Sequence, residues 1–199
     1  MNLQERVTRI LKQPKQEWPV IEAEPTDIAT LYKSYIVPLA AIPVVCNFIG
    51  RVVFGMPVPF VGRYRFGVGE ALRAAVFEYI GALVGAFVAA FIVSKLAPTF
   101  GSRDDQRQAL KLVAYSSTAV WIAGVLNLVP ALSVLVIFAA VYCVYVYYLG
   151  VPVMMKTPPD KVIAYMVVSV LVVIVVYFVL ALIMGVAGGV GGMMSGGAL

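Results

Sequence analysis

The sequence contains no histidine and only two cysteines, Cys46 and Cys143. Histidine is the commonest metal ligand and the usual proton carrier near neutral pH. Its absence therefore excludes Ser-His and Cys-His catalytic pairs and HExxH metal sites. A phosphate-binding loop is also missing, because no glycine-rich segment is followed by Lys-Ser or Lys-Thr. We expect no enzyme activity, no metal site and no cofactor.

Charged residues are scarce as well. They form 13% of the 199 residues, whereas 62% are hydrophobic, and soluble proteins carry about twice that share of charge. The charges cluster and leave four charge-free runs, which are residues 34–50, 79–94, 112–155 and 162–199. A helix needs about 20 residues to cross the hydrocarbon core of a membrane. The 44-residue run is therefore expected to cross twice, and each other run once.

The predicted fold class is all-α, a polytopic membrane bundle of five transmembrane helices. A transmembrane barrel is excluded because the apolar runs are longer than barrel strands and do not alternate. The predicted spans are residues 35–54, 71–96, 109–129, 131–149 and 162–184. They form one domain, residues 35–184, which is preceded by a cytoplasmic amphipathic helix and loop, residues 1–34, and followed by a flexible glycine-rich tail, residues 185–199.

The N-terminal part has an amphipathic pattern. Leu3, Val7, Ile10 and Leu11 recur at the spacing of one helical face, and the opposite face carries Arg6, Arg9 and Lys12. This pattern predicts a short interfacial helix on the membrane surface. After Pro14 we expect a surface loop that contains Trp18.

Two segments have the form of a capping box, in which a hydroxyl and a later carboxylate bind the free N–H groups at a helix start. They are residues 102–105 (SRDD) and residues 157–160 (TPPD). We expect them to begin the third and fifth spans.

Orientation follows from the basic residues in alternate loops. The side that carries the N-terminus has 11 Lys and Arg, and the other side has only Arg51, Arg63, Arg65 and Arg73. Positive residues favour the cytoplasmic side. The N-terminus is therefore predicted to be cytoplasmic and the C-terminus periplasmic or extracellular. The net charge of +5 suits anionic lipid and requires no nucleic acid.

Glu78 is the one acidic residue that lies clearly within an apolar stretch. Charges at such depth are costly and usually face the bundle interior. Two interpretations stay open: a proton or cation site, or a structural carboxylate paired with Arg73, Arg51 or a tyrosine. Gly81, Gly85 and Ala89 follow Glu78 on the same face at a four-residue spacing. Small residues at that spacing predict close helix packing.

A family resemblance rests on four segments. They are Trp18-Pro19 and residues 35–41 (YIVPLAA), 111–121 (KLVAYSSTAVW) and 148–161 (YLGVPVMMKTPPDK). Together they resemble the bacterial branch of the YIP-domain family, the Ypt/Rab-interacting proteins. The resemblance implies five spans, a cytoplasmic N-terminus, a bacterial inner-membrane location and a cytoplasmic signature loop of Lys156, Thr157, Pro158, Pro159, Asp160 and Lys161. Eukaryotic members bind small GTPases and vesicle-coat or membrane-shaping partners and act as membrane adaptors, but a bacterial cell has no Rab-driven vesicle cycle, so the resemblance does not transfer that role directly.

Three functions are compatible with these features. The favoured one is a non-enzymatic scaffold that organises protein partners or local membrane structure, with the bilayer, a membrane or cytoplasmic protein, or a second copy of the chain as partners. The alternative is a small transporter or channel that uses intramembrane Glu78. Its support is Arg73, the predicted kinks at Pro38 and Pro43, and the Ser116–Thr118 cluster. An intramembrane enzyme ranks third, because Ser116, Ser117 and Thr118 have no histidine base.

Overall fold

The structure is a computed structural model that describes residues 2–58, 62–176 and 178. Within these residues the chain forms seven helices and one small β-hairpin. In chain order they are α1 Leu3–Lys12, α2 Pro14–Ala23, α3 Ile28–Val53, β1 Met56–Val58, β2 Gly62–Tyr64, α4 Val68–Phe100, α5 Gln106–Leu128, α6 Pro130–Met154 and α7 Val162–Val176.

Four helices, α3 to α6, are long and apolar enough to cross a membrane. Their outward faces carry large apolar side chains that no other part of the described chain covers. On α4 they include Leu72, Val76, Val84, Phe87 and Phe91. Apolar surface of this extent belongs in contact with lipid. The chain is a multi-pass membrane protein.

The predicted fifth span begins where expected, because α7 starts at Val162. Its described part, Val162–Val176, is apolar but shorter than the four candidate spans. The predicted end of this span at residue 184 and the predicted flexible tail, residues 185–199, lie outside the described residues. The count of five spans stays a prediction.

Helix α3 begins at a cap and passes two prolines. The Asp27 carboxylate accepts a hydrogen bond from the Thr30 backbone N–H at the helix start. Residues Tyr32–Ile36 form a π-helical turn directly before Pro38. A proline ring clashes with the carbonyl one turn earlier in an α-helix, and the wider π-helical turn lies at that point. The helix passes Pro38 at this turn and continues through Pro43 to Val53.

Helix α5 is the centre of the bundle. In its most apolar stretch of 18 residues 61% of the residues are buried, whereas the share is 22–28% in the corresponding stretches of the other three candidate spans. It contacts α1, α3, α4 and α6, and Val129 alone separates it from α6. The expected hairpin of the third and fourth spans is therefore present.

The N-terminal segment differs from the sequence prediction in two ways. The predicted helix is present as α1, but its apolar face packs on protein rather than on a membrane surface: Ile10 is fully buried, and Leu3, Val7 and Leu11 pack against the same core. The predicted surface loop after Pro14 is wrong, because Pro14–Ala23 is a helix that buries Trp18 and Ile21 completely. Proline is compatible with the first turn of a helix, so Pro14 begins α2 rather than a loop.

Both predicted capping boxes are wrong in detail. Asp105, not Ser102, caps α5, and its carboxylate accepts hydrogen bonds from the backbone N–H groups of Arg107 and Gln108. Helix α7 starts at Val162, four residues after Pro158. The hydroxyls of Ser102 and Thr157 instead bond to each other at 2.9 Å, which joins the two segments.

Candidate functional site

Glu78 lies in a polar cluster between α3 and α4. Its Oε1 accepts a hydrogen bond from Asn47 Nδ2 at 2.5 Å, and its Oε2 lies 3.2 Å from Arg51 Nη2. Asn47 and Arg51 are four residues apart on α3 and so share one helical face. Among the partners considered from the sequence, the structure brings Arg51 to Glu78. Arg73 is exposed and forms no ion pair with any residue that the structure describes.

The Glu78 cluster borders a small polar cavity of about 80 Å³, lined by Asn47, Arg51, Asn127, Pro130 and Ser133. This volume holds a few water molecules, since one water needs roughly 10–15 Å³ of such space. The Arg51 and Glu78 side chains are 24% and 30% exposed. The pair is thus a partly hydrated ion pair with both carboxylate oxygens engaged.

The predicted packing stripe is present only in part. Gly85 is buried, and Ala89 is 5% exposed. Gly81 is exposed, and a Cβ added there would meet no atom of the described chain within 4 Å. The packing prediction therefore fails at Gly81 within these residues. The buried face of α4 is centred nearer to the C-terminal end of the helix, on Ala86, Ala89, Ala90 and Val93.

Three other glycines within the helices make close contacts that the sequence analysis missed. A Cβ at Gly50 would lie 2.5 Å from the Asn127 carbonyl oxygen, and one at Gly124 would lie 2.5 Å from Pro43 Cβ. These positions bring α3 against the end of α5. A Cβ at Gly150 would lie 2.5 Å from Leu112 Cδ1 and 2.6 Å from Trp18 Cε2. None of the three belongs to a regular four-residue stripe, which is why periodicity did not reveal them.

A buried charge cluster fixes the N-terminal segment to the bundle. The Arg6 guanidinium donates to the carboxylates of Glu17 and Glu24, and it lies 5.7 Å from the centre of the Tyr115 ring. The side chains of Arg6 and Glu17 are only 5% and 4% exposed. Arg6 was assigned to the lipid-headgroup face from the sequence, and this assignment is wrong. Its four-residue spacing from Ile10 is the signal that places it at the edge of the apolar face.

Lys111 extends the same cluster on α5. It is 3% exposed, and its Nζ donates to the backbone carbonyl oxygens of Ile21, at 3.0 Å, and Glu24. These carbonyls lie at the C-terminal end of α2, where a helix leaves carbonyl groups without internal partners. A lysine ammonium at that end also interacts favourably with the helix dipole.

Trp18 completes the attachment of α2. It is fully buried, and its Nε1 donates to the Val146 carbonyl oxygen of α6 at 3.1 Å. The Tyr142 hydroxyl of α6 donates to the Leu11 carbonyl oxygen at 2.7 Å. Helices α1 and α2 are therefore packed onto the bundle through their buried side chains.

The signature loop joins three separate segments at the basic end of the molecule. The Lys156 Nζ lies 3.0 Å from the Glu22 Oε1 of α2, and the Arg103 backbone N–H donates to the Met155 carbonyl oxygen at 2.7 Å. Thr157 is buried against Ser102, whereas Pro159, Asp160 and Lys161 are exposed. We call this surface the platform: it comprises residues 101–105, residues 155–161 and the end of α2, and it carries charges of both signs.

Asp104 adds a charged contact to the platform. Its carboxylate accepts hydrogen bonds from Lys95 Nζ at 2.8 Å and from the Ser94 hydroxyl. The bond from Lys95, and then that from Ser94, lowers the pKa of Asp104 below its usual value, because both favour the ionised carboxylate. No group of three or more Cys, Asp or Glu side chains that could hold a metal ion occurs within residues 2–58, 62–176 and 178.

Comparison with known proteins gives consistent matches. The sequence profile of the Yip1 domain matches residues 8–192. The chain is also 27% identical, over 154 residues, to the inner membrane protein YohC of Escherichia coli strain K12 and to that of Escherichia coli O6:H1, and each alignment covers 72% of this chain and 75% of the relative. No solved structure matches it. Because the profile spans nearly all of the chain, including the buried α2 and the signature loop, the chain belongs to the Yip1 domain family.

Proposed function

We propose that this chain is a non-enzymatic scaffold of the bacterial inner membrane, and that its platform is the surface on which cytoplasmic or membrane protein partners assemble. The relatives named as inner membrane proteins support the location. Eleven of the 15 Lys and Arg residues lie on the platform side. This excess supports a cytoplasmic platform, because positive residues favour the cytoplasmic side.

The observation that carries the proposal is that contacts join platform segments which lie far apart in sequence. The ion pair of Lys156 with Glu22 joins residues 155–161 to α2, and the hydrogen bond between the Ser102 and Thr157 hydroxyls and the backbone bond from Arg103 to Met155 join them to residues 101–105. A preorganised surface binds a partner with little loss of conformational entropy. Its charged side chains stay accessible, since the side chains of Arg103 and Lys156 are 56% and 52% exposed.

The geometry at Glu78 favours the scaffold over a transporter. A carboxylate that carries a proton or cation must exchange partners during a cycle. Here Arg51 and Asn47 engage both of its oxygens. An ion pair of this kind contributes to structure without any transport step.

Orientation is tested first, with single cysteines in a chain whose Cys46 and Cys143 are replaced by alanine. Thr8→Cys and Arg63→Cys are exposed positions at opposite ends, and Ser195→Cys reports the C-terminus. In sealed inner-membrane vesicles of known polarity, we expect an impermeant maleimide to label position 8 from the cytoplasmic side and positions 63 and 195 from the other. Labelling of positions 8 and 195 from the same side contradicts the five-span topology.

The partner role is tested with a photo-crosslinking amino acid at Lys161, on the platform, and at Arg63, at the far end, as the matched control. We expect a discrete protein adduct in living cells from position 161 and none from position 63. The adduct should disappear when Arg103 and Lys156 are both changed to glutamate in a chain that still folds. An adduct of twice the chain mass identifies a second copy as the partner. Equal adducts from both positions, or none from position 161, contradict the platform.

A further inference from the structure

Three exposed arginines lie at the end of the bundle opposite to the platform. Arg63 lies on β2, Arg65 directly follows this strand, and Arg73 lies in the second turn of α4. None of the three forms an ion pair with any residue that the structure describes. A guanidinium group carries five hydrogen-bond donors and no acceptor. These arginines are therefore free to bind an anionic partner.

A contact between the hairpin and α4 brings the three arginines to one region. The Tyr64 hydroxyl of β2 donates to Glu70 Oε2 of α4 at 3.2 Å. Glu70 lies three residues before Arg73, so the two side chains are neighbours on one face of α4. Arg63 and Arg65 flank Tyr64 in the sequence. The region therefore carries three positive charges and one negative charge.

The surroundings of Arg73 place it at the edge of the lipid phase. Leu72, Val76 and Phe77 are 50–59% exposed, and the last two share a helical face with Arg73. Apolar surface of this kind belongs in contact with lipid, where a charge without a partner is costly. A long arginine side chain instead extends its guanidinium to the headgroup layer. Tyr64 is also exposed, and tyrosines are enriched at that depth. The anion nearest to Arg73 is thus a lipid phosphate.

We propose that the hairpin and the start of α4 bind the headgroup of an anionic phospholipid such as phosphatidylglycerol. Its phosphate accepts hydrogen bonds from the Arg73 guanidinium, Arg63 and Arg65 add positive charge, and its acyl chains lie along α4. A zwitterionic headgroup fits less well, because its ammonium group is repelled by the arginines. The site lies away from the platform, so its test does not bear on the scaffold role.

The test uses the full chain in phosphatidylcholine nanodiscs and a phosphatidylglycerol probe that carries a diazirine in the acyl chain, close to the headgroup. Lipid reaches both ends of the bundle in a nanodisc, so the result does not depend on orientation. We expect crosslinks to peptides within residues 62–80. Unlabelled phosphatidylglycerol should compete with the probe, whereas phosphatidylethanolamine and glycerol 3-phosphate should not.

Single charge deletions then locate the site. Arg73→Gln should weaken the competition by phosphatidylglycerol roughly fivefold, which is the effect of one basic residue near anionic lipid. The triple variant Arg63→Gln, Arg65→Gln and Arg73→Gln should weaken it roughly a hundredfold. Arg107→Gln is the matched control, because it removes an exposed positive charge at the platform end, and should change it less than about twofold. Glu70→Gln removes the acidic neighbour and should strengthen it about twofold.

Three results would overturn the proposal. Equal competition by phosphatidylglycerol and phosphatidylethanolamine shows that the site does not select an anionic headgroup. Equal effects of Arg73→Gln and Arg107→Gln show that only the total charge matters, and this comparison still decides if the triple variant fails to fold. Competition by glycerol 3-phosphate as strong as that by phosphatidylglycerol identifies a free phosphate ester, not a lipid, as the ligand.

Discussion

Two arginine–glutamate pairs lie at opposite ends of this bundle, and they differ in how much solvent reaches them. In the pair at the platform end, the Arg6 and Glu17 side chains are 5% and 4% exposed. In the pair at the far end, the Arg51 and Glu78 side chains are 24% and 30% exposed. The sequence suggested the reverse, because Arg6 lies in a charged segment and Glu78 lies in an apolar one. Local hydropathy therefore did not reveal which charge is buried.

The difference has energetic consequences. A fully desolvated ion pair depends on both partners, because the removal of one leaves a buried charge without compensation. A partly hydrated pair loses less, because water replaces the missing partner. The platform end should thus respond strongly to single charge deletions, and the far end should respond weakly.

The largest effect is expected for Arg6→Ala. It leaves the Glu17 carboxylate buried without its guanidinium, so we expect a loss of about 3–5 kcal/mol in unfolding free energy. Thermal unfolding in detergent measures it. The matched control is Arg9→Ala on the same helix, where the pair with Glu5 is about half exposed and contributes about 0.5 kcal/mol or less. Similar losses in the two variants contradict the difference in burial.

Much of the bundle was predictable from the sequence. The starts of α4, α5 and α7 fall within three residues of the predicted spans, because long charge-free runs have few alternatives in a membrane. The first span begins earlier than predicted, at Ile28, since the capping residue Asp27 initiates the helix before the apolar run. The hairpin of α5 and α6 also follows from the run of 44 residues.

The N-terminal segment could not be predicted in the same way. Its charges have partners distant in sequence, such as Lys111 for the carbonyl oxygens of α2. An amphipathic helix has the same periodicity whether it packs on lipid or on protein. Only the tertiary contacts of Trp18 and Arg6 distinguish the two.

The next largest effect is expected for Gly150→Leu. The new side chain would overlap Trp18 and Leu112, since even a Cβ approaches them to within 2.6 Å. We expect a loss of about 1–3 kcal/mol from overpacking, together with faster proteolysis of residues 1–24. Gly81→Leu is the control, because a Cβ there meets nothing in the described chain within 4 Å. Unchanged unfolding of the Gly150→Leu variant indicates that α2 does not pack against α6.

A smaller effect is expected at the far end for Glu78→Gln. Glutamine can still accept from Asn47 Nδ2 but loses the ion pair with Arg51. We expect a loss of about 1 kcal/mol in unfolding free energy, and almost none for Glu70→Gln at the exposed start of α4. The wild-type chain in liposomes should pass no protons or potassium ions above empty vesicles. A reproducible flux that disappears in Glu78→Gln would support a transporter and contradict the scaffold.

The smallest effect concerns an exposed charge at the platform end, Asp104. Because hydrogen bonds from Lys95 and Ser94 lower the pKa of Asp104 in the folded chain, the folded state holds the ionised form more strongly than the unfolded state does. Its stabilising contribution is complete above the unfolded value of about 3.9 and is lost as the pH falls through the folded pKa. Asp104→Asn should therefore lower the unfolding temperature slightly at pH 6, and the gap to wild type should narrow below about pH 4. A difference in unfolding temperature between Asp104→Asn and wild type that stays constant between pH 6 and pH 3 indicates that the carboxylate charge contributes nothing to stability. In that case only the desolvated pairs stabilise the fold, even at the platform end.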